Sequence, residues 1–348
     1  SSVVLGAKKR EQDEKEKRYV QIYEETLKMV EEGQALSVLN PGRSREILLA
    51  SQSKISEMET LGVEISKTTE LKDKLTNALA GVMKEYKLID VPVFTDLTLI
   101  ASDGRGDRMA LFGQSLIILD KTKNRVLGLD MKRKSPEILA GGGTLSETKL
   151  VILENDYGYI FEKEGLARIN VGNKKTVKAV IKISGEWGQI AAMGIFGGNI
   201  YLLDTGKNEI WRYGATADGF GTGQSWFASG TTPDLSGVVS MAVDGVIWGL
   251  TQDGKILKFV QGSPTAFGVS GLVTGFSSPS VIYTNDEIEN LYILDNGNGR
   301  VVVLAKSGEY KAEYLWDGFK EATDMVVQEA DKKIFLLSGS RIYEIALR

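Results

Sequence analysis

Two patterns of apolar and polar residues divide the chain. Up to about residue 88, small or apolar positions recur every three or four residues: Tyr19, Tyr23, Leu27 and Val30; Leu48, Ser51, Ile55 and Met58; Leu71, Leu75, Leu79, Val82 and Tyr86. That spacing marks one face of an α-helix. Asn40-Pro41-Gly42 and Gly62 interrupt it, so the pattern predicts three helices, over roughly 10–38, 43–60 and 68–87. From Val91 onward the grammar becomes short β-type runs separated by Gly, Asn, Asp and Ser. Three stretches repeat one arrangement: SLIILDKTKNRVLGLD (115–130), NIYLLDTGKNEIWRYG (199–214) and NLYILDNGNGRVVVLA (290–305). Each is an apolar run, an Asp, a polar turn and a second apolar run, which reads as a hairpin.

The repeat can be measured. The residues that end the first strand of successive hairpins are Asp120, Glu162, Asp204, Thr251, Asp295 and Ser338, at intervals of 42, 42, 47, 44 and 43 residues. A period of about 40–50 residues with several strands per unit is the signature of propeller blades. The fifth unit divides into four strands, Ser280–Thr284, Leu291–Leu294, Arg300–Leu304 and Lys311–Leu315. The third divides likewise into Ala191–Phe196, Ile200–Leu203, Glu209–Tyr213 and Ser225–Ala228. The sixth supplies only Thr323–Gln328, Lys333–Leu337 and Arg341–Leu347, and VPVFTD (Val91–Asp96) is available as its fourth strand. Pairing the two ends of the ring removes an exposed sheet edge. The expected architecture is mainly β: a helical segment over 1–88, hairpin-like, followed by a six-bladed β-propeller over 89–348 closed by an N-terminal strand. Within the hairpins, Asp204 is placed to accept hydrogen bonds from turn N–H groups and Gly206 to supply a positive φ, with Asp120 and Asp295 in the same structural role.

Composition narrows the chemistry. The chain has neither Cys nor His, which excludes disulfides, thiol nucleophiles, His-based triads and Cys/His zinc sites. Its net charge of −4 gives no bulk electrostatic case for nucleic acid. The helical segment is balanced, with 15 Lys/Arg against 15 Asp/Glu, so the negative charge falls in the propeller, with 27 against 31. The run KKREQDEKEKR (8–18) places opposite charges three and four residues apart, as a solvated helix does. No run is long and apolar enough for a membrane span. Ser1–Gly6 reads either as a loose terminus or as the tail of a span upstream of Ser1, with Lys8, Lys9 and Arg10 as a cytoplasmic flank.

The pattern I-Y-x-L-D-x-G-x-N-x-I in 200–210 resembles the NHL-type six-bladed propellers, and 291–301 repeats it with Leu, Gly and Val substituted. The match is good in blades three and five, partial in one, and poor in two, four and six. The order of helical segment and propeller is similar to that of a group of bacterial membrane-anchored proteins, some with a PPM-type phosphatase domain upstream. That resemblance implies an exposed, extracytoplasmic sensing domain tethered to a membrane. The motif Ala35-Leu36-x-x-Leu39-Asn40-Pro41 also resembles a tetratricopeptide-type junction, without that repeat's Trp and Gly-x-x-Tyr positions. Some NHL-type relatives bind RNA through a basic face, which this acidic propeller lacks.

In a propeller the loops that lead into the innermost strands gather at one mouth of the central channel. Here they carry Asp103, Arg105, Asp107, Arg108, Glu186, Trp187, Asp234, Trp316, Asp317, Lys320 and Glu321. Charged and aromatic residues converging on a concave surface form the expected binding site, with Trp226 and Phe227 near its rim. The competing reading is that Trp187 and Trp316 pack between blades. Asp103-Gly104-Arg105-Gly106-Asp107 invites Ca²⁺, although the EF-hand spacing is absent, and Arg105-Gly106-Asp107 spells an adhesion tripeptide. Gly141-Gly142-Gly143-Thr144 lacks the ending of a phosphate loop and reads as a flexible connection between blades; Gly219–Gly223 reads as a loop. Asp103, Asp107, Glu186, Asp234, Asp317 and Glu321 are carboxylates of the kind a glycosidase pairs, yet no pattern singles out two. The leading expectation is a non-catalytic module that binds a protein, peptide or glycan at this mouth, with no cofactor other than Ca²⁺ in view. A carboxylate-only or metal-assisted hydrolase of saccharides or phosphate esters, and a protein–protein scaffold, are the alternatives.

Overall fold

The computed structural model describes residues 2–141 and 143–348. Ser1, in the N-terminal stub, and Gly142, in the Gly-rich connection, lie outside the described residues. The chain divides into two compact units: Ser1–Tyr86 with Val269–Thr274 and Gly308–Glu313, and the remaining residues.

In the first unit three helices, α1 (Ser2–Leu36), α2 (Pro41–Leu61) and α3 (Ile65–Met83), pack the apolar faces read from the sequence. Tyr19, Val30, Leu48, Ile55, Met58, Leu71, Leu75 and Leu79 form one core. Asn40 caps α2 by accepting the Arg43 N–H at 3.1 Å, with Pro41 in the first turn, and Gly62 closes it at φ 66°. Helix α1 begins eight residues before the expected start. Its exposed first turns carry supports at i,i+4, namely the Glu11–Lys15 ion pair at 2.8 Å and the Gln12–Glu16 hydrogen bond. Helix α3 stops short of Tyr86 because Lys84 is left-handed (φ 44°) and Glu85–Lys87 are extended. Buried Arg45 donates to the carbonyls of Val82 and Tyr310, pairs with Glu309 at 3.2 Å and lies 5.1 Å from the Tyr310 ring centroid.

The second unit is the propeller. Six sheets follow one another in chain order, with inner strands Arg108–Phe112, Leu150–Glu154, Ile190–Phe196, Val238–Val243, Pro279–Tyr283 and Asp324–Gln328. The sixth blade is closed as expected: Val93–Asp96 pairs antiparallel with Arg341–Ala346, in the register Val93↔Tyr343, Thr95↔Ile342 and Asp96↔Arg341. Both faces of each sheet are covered by the neighbouring blade, so the cores lie between blades. Ala110, Ile117 and Leu119 of blade one meet Val151, Leu153 and Ile160 of blade two in one such cluster. The third blade departs from expectation. Its outer strand shrinks to Gln224–Ser225 because the chain then turns Trp226 and Phe227 inward, where Phe227 packs edge-on against Phe259 (centroids 5.2 Å). These two aromatics therefore fill an inter-blade core and do not line a rim.

The repeated hairpins now have a physical explanation. Buried Asp204 accepts the N–H groups of Gly188 (2.7 Å) and Gln189 (2.8 Å), which lead into its own blade, and those of Gly206 and Lys207 in its turn. Asp295 likewise accepts the Ser277 N–H at 2.7 Å, and Asp120 accepts that of Lys123 at 3.1 Å. The left-handed residue of the turn is Asn208 (φ 52°), not Gly206, with Asn124 and Gly299 equivalent. Gly206 is needed for room: a Cβ there would lie 2.7 Å from the Gln189 nitrogen. Asn208 Oδ1 accepts the Leu235 N–H at 2.7 Å, and Asn124 Oδ1 that of Thr148 at 2.9 Å. The third motif thus pins both the loop that begins its own blade and the loop that begins the next; Asn124 of the first holds the next blade's loop, and Asp295 of the fifth holds its own.

Candidate functional site

The six inner strands wall a central cavity of about 510 Å³. Each strand runs from a loop end, where the sequence-predicted residues sit, to a hairpin end. The cavity takes in turn residues beyond the strands only at the hairpin end, among them Gly113, Gly197, Asp286 and Asp331. Of the eleven predicted residues, Arg108 alone lines it.

At the loop end the predicted side chains are occupied with one another or with the backbone. Asp103 bridges Lys123 and Arg125, each at 3.1 Å, and these two cations hold its carboxyl below the usual range. Asp107 accepts the Lys121 N–H at 2.9 Å and lies 3.4 Å from Arg105. Arg108 donates to the Thr323 carbonyl at 2.8 Å. Trp187 donates its indole N–H to the Tyr213 hydroxyl at 3.0 Å and packs against Phe161, between blades two and three. Glu186 is exposed beside it. Trp316 packs edge-on against Phe319 and Tyr343. Asp317 pairs with Lys320 at 2.8 Å, which lowers its carboxyl, and Glu321 is exposed. Asp234 accepts both the N–H and the hydroxyl of Ser236, which holds its carboxyl down, and lines a separate groove on blade four with Pro264 and Phe267. Among the described residues no group of three or more Asp or Glu is placed to hold a metal ion.

At the loop end of the sixth inner strand, buried Asp324 accepts the Met109 N–H at 2.7 Å and the Met325 N–H at 2.9 Å. Burial raises its carboxyl, against the pull of Arg108 and those two N–H groups. Lys121 is lowered, first by burial and then by Arg108. At the hairpin end of its strand, burial pushes the Tyr283 hydroxyl up. The Ser240 hydroxyl accepts the Ile282 N–H at 3.1 Å, and that of Ser280 donates to Asn296. Both serines therefore serve as blade-to-blade or loop contacts.

The hairpin end is different. Phe112, Glu154 and Phe196 are the last residues of the inner strands of blades one, two and three, and all three line the cavity. Across the opening stand Asp286, Glu287, Glu329 and Asp331. Glu329 is held by the Glu289 N–H, the Asn290 amide and the Tyr292 hydroxyl, and Glu154 by the Gly198 N–H. All of these donors are neutral. The cavity wall between the two ends is small and apolar, with Ala110, Ile152, Ala192, Gly194 and Ala242. No motif announces these rim residues; the available signal was their common position just before a turn.

No protein-family model and no curated protein matches the sequence. Solved structures do. The calcium-binding protein regucalcin from Agrobacterium tumefaciens is 12% identical, over 76% of this chain and 95% of its own, with a TM-score of 0.51. A protein of unknown function from Bacteroides thetaiotaomicron is 11% identical over 76% and 75%, also at 0.51. PorZ, a surface component of the type-IX secretion system of Porphyromonas gingivalis, is 13% identical over 71% of this chain at 0.49, and the match spans only 31% of PorZ. At these identities the likeness is one of fold. The chain is a six-bladed β-propeller. Its structural neighbours are propellers of the same type, and they leave the ligand to be argued from the site.

Proposed function

We propose that this propeller is a non-catalytic binding module that takes a small ligand, or the projecting end of a partner, into its central channel from the hairpin end. The observation that carries this reading is the 510 Å³ cavity, of the size that holds small ligands, with small apolar residues along its wall and carboxylates gathered at the hairpin opening. The engagement of the Ser240 and Ser280 hydroxyls in the fold supports binding over nucleophilic catalysis. The loop end is a poorer candidate, because most of its charges are satisfied within the protein.

A thermal-shift screen with neutral saccharides, anionic and cationic small molecules and short peptides tests the reading. A ligand at about 100 times its Kd stabilises the native state by about 2.7 kcal/mol. The shift should disappear in Gln114→Trp, which narrows the hairpin opening. A shift that survives this substitution would move the site elsewhere, and turnover of a screened compound would replace the binding module with an enzyme.

A further inference from the structure

The hairpin-end opening gathers several carboxylates that form no ion pair among the described residues. Asp103, Asp120, Asp295 and Asp317 each face Lys or Arg within 4 Å, whereas Glu154, Glu329 and the three carboxylates near them form no ion pair among the described residues. Glu154 and Glu329 are nonetheless fixed, by hydrogen bonds from neutral donors on the adjacent blade. Lys306 at this end is taken up by Asp244 and the Asn285 carbonyl, so the oriented carboxylates at the mouth leave a net negative field that favours a cation and opposes an anion.

The aromatic residues narrow the choice of cation. Phe112 and Phe196 end the inner strands on either side of the one that ends in Glu154. Phe112 is 41% exposed, a large apolar side chain left at the opening, whereas Phe196 packs against the core between blades three and four. An aromatic face attracts an ammonium or guanidinium cation, which has far less hydration to lose than a divalent metal ion. A hard metal ion asks instead for six to eight oxygens, and the described residues offer no such cluster. The apolar wall beyond then receives a hydrocarbon body.

We infer that the channel binds an organic cation: an alkylammonium or guanidinium group held at the opening by Phe112 and Glu154, its apolar stem reaching into the cavity. The cation is free or borne by the end of a peptide. This inference rests on the channel being the binding site. Isothermal titration of the full chain compares n-hexylammonium and agmatine with the neutral 1-hexanol and the anionic hexanoate, and adds a tripeptide ending in Lys.

The cations are expected to bind at least about tenfold more tightly than the neutral isostere, and to weaken as salt is raised. Glu154→Gln and Phe112→Ala should each weaken cation binding by about tenfold while the melting temperature of the free protein holds. Agmatine binding with a silent tripeptide identifies a free amine as ligand; the reverse identifies a peptide end. Equal binding of hexanol and hexylammonium, lost in Phe112→Ala, would overturn the cation while leaving the channel as a site. Preference for Ca²⁺ over every amine would also overturn it. Silence of all five probes, together with a screen hit insensitive to Gln114→Trp, would remove the channel itself.

Discussion

The two ends of the propeller channel hold similar residues in opposite states. At the loop end, Asp103, Asp204 and Asp295 are saturated by Lys, Arg and backbone N–H groups. At the hairpin end, Glu154 and Glu329 face an open cavity and are held by neutral donors. The lesson is that density of chemistry along a sequence measures demand for it, and turns in a propeller demand a great deal. The loop end looks like a site because it is where blades are fastened together. Charge that the fold does not consume is the better pointer to a ligand.

That contrast can be broken most sharply at Asp204. Asp204→Ala would strand several buried N–H donors, each costing about 1–3 kcal/mol. A loss of roughly 3–4 kcal/mol in urea unfolding is expected, allowing for relaxation. A loss below about 1 kcal/mol would mean that the turn reorganises without it. Next comes Trp187→Ala, which opens a gap against Phe161 and Tyr213 and removes an indole hydrogen bond. About 2–3 kcal/mol is expected for this half-buried ring, with ligand affinity unchanged. Loss of binding without loss of stability would return the loop end to consideration.

A smaller effect concerns Asp324. Its carboxyl is raised in the folded state by burial, so the native protein holds that proton more tightly than the unfolded chain does. The contribution to stability is therefore largest below the ordinary carboxylate pKa. It declines as pH rises through the folded pKa. Asp324→Asn should flatten that part of the stability–pH curve relative to wild type, and a carboxyl ¹³C titration should place its midpoint above the ordinary range. A midpoint at or below that range would refute the assignment. The smallest change is expected at the hairpin end: Glu154→Gln should alter stability by no more than about 0.5 kcal/mol, since Glu154 forms no ion pair among the described residues and Gln can still accept the Gly198 N–H.

The number of blades, their order and the closing strand were legible because a propeller writes the same hairpin repeatedly and each copy dates the next. The helical faces around Leu48 and Leu75 were legible for the usual reason of period. The turn chemistry was half legible. Asp204 was recognised, but the left-handed position belongs to Asn208, because the Gly was needed where the backbone of Gly188–Gln189 approaches. Phe112, Glu154 and Phe196 were not legible as a group. They are 42 residues apart in sequence and become neighbours in role only when the blades are laid round one axis.

The closing strand has a further consequence, in time. Asp96 and Arg341, which meet at 3.4 Å, are 245 residues apart. At a synthesis rate of about 5–20 residues per second, Val93–Asp96 leaves the ribosome roughly 12–50 s before the strand it pairs with exists. For that interval the nascent propeller has an unpaired edge at each end. The last blade is thus the one most exposed to a neighbouring chain on the same message, and the step at which a circular ring competes with an open, swapped one.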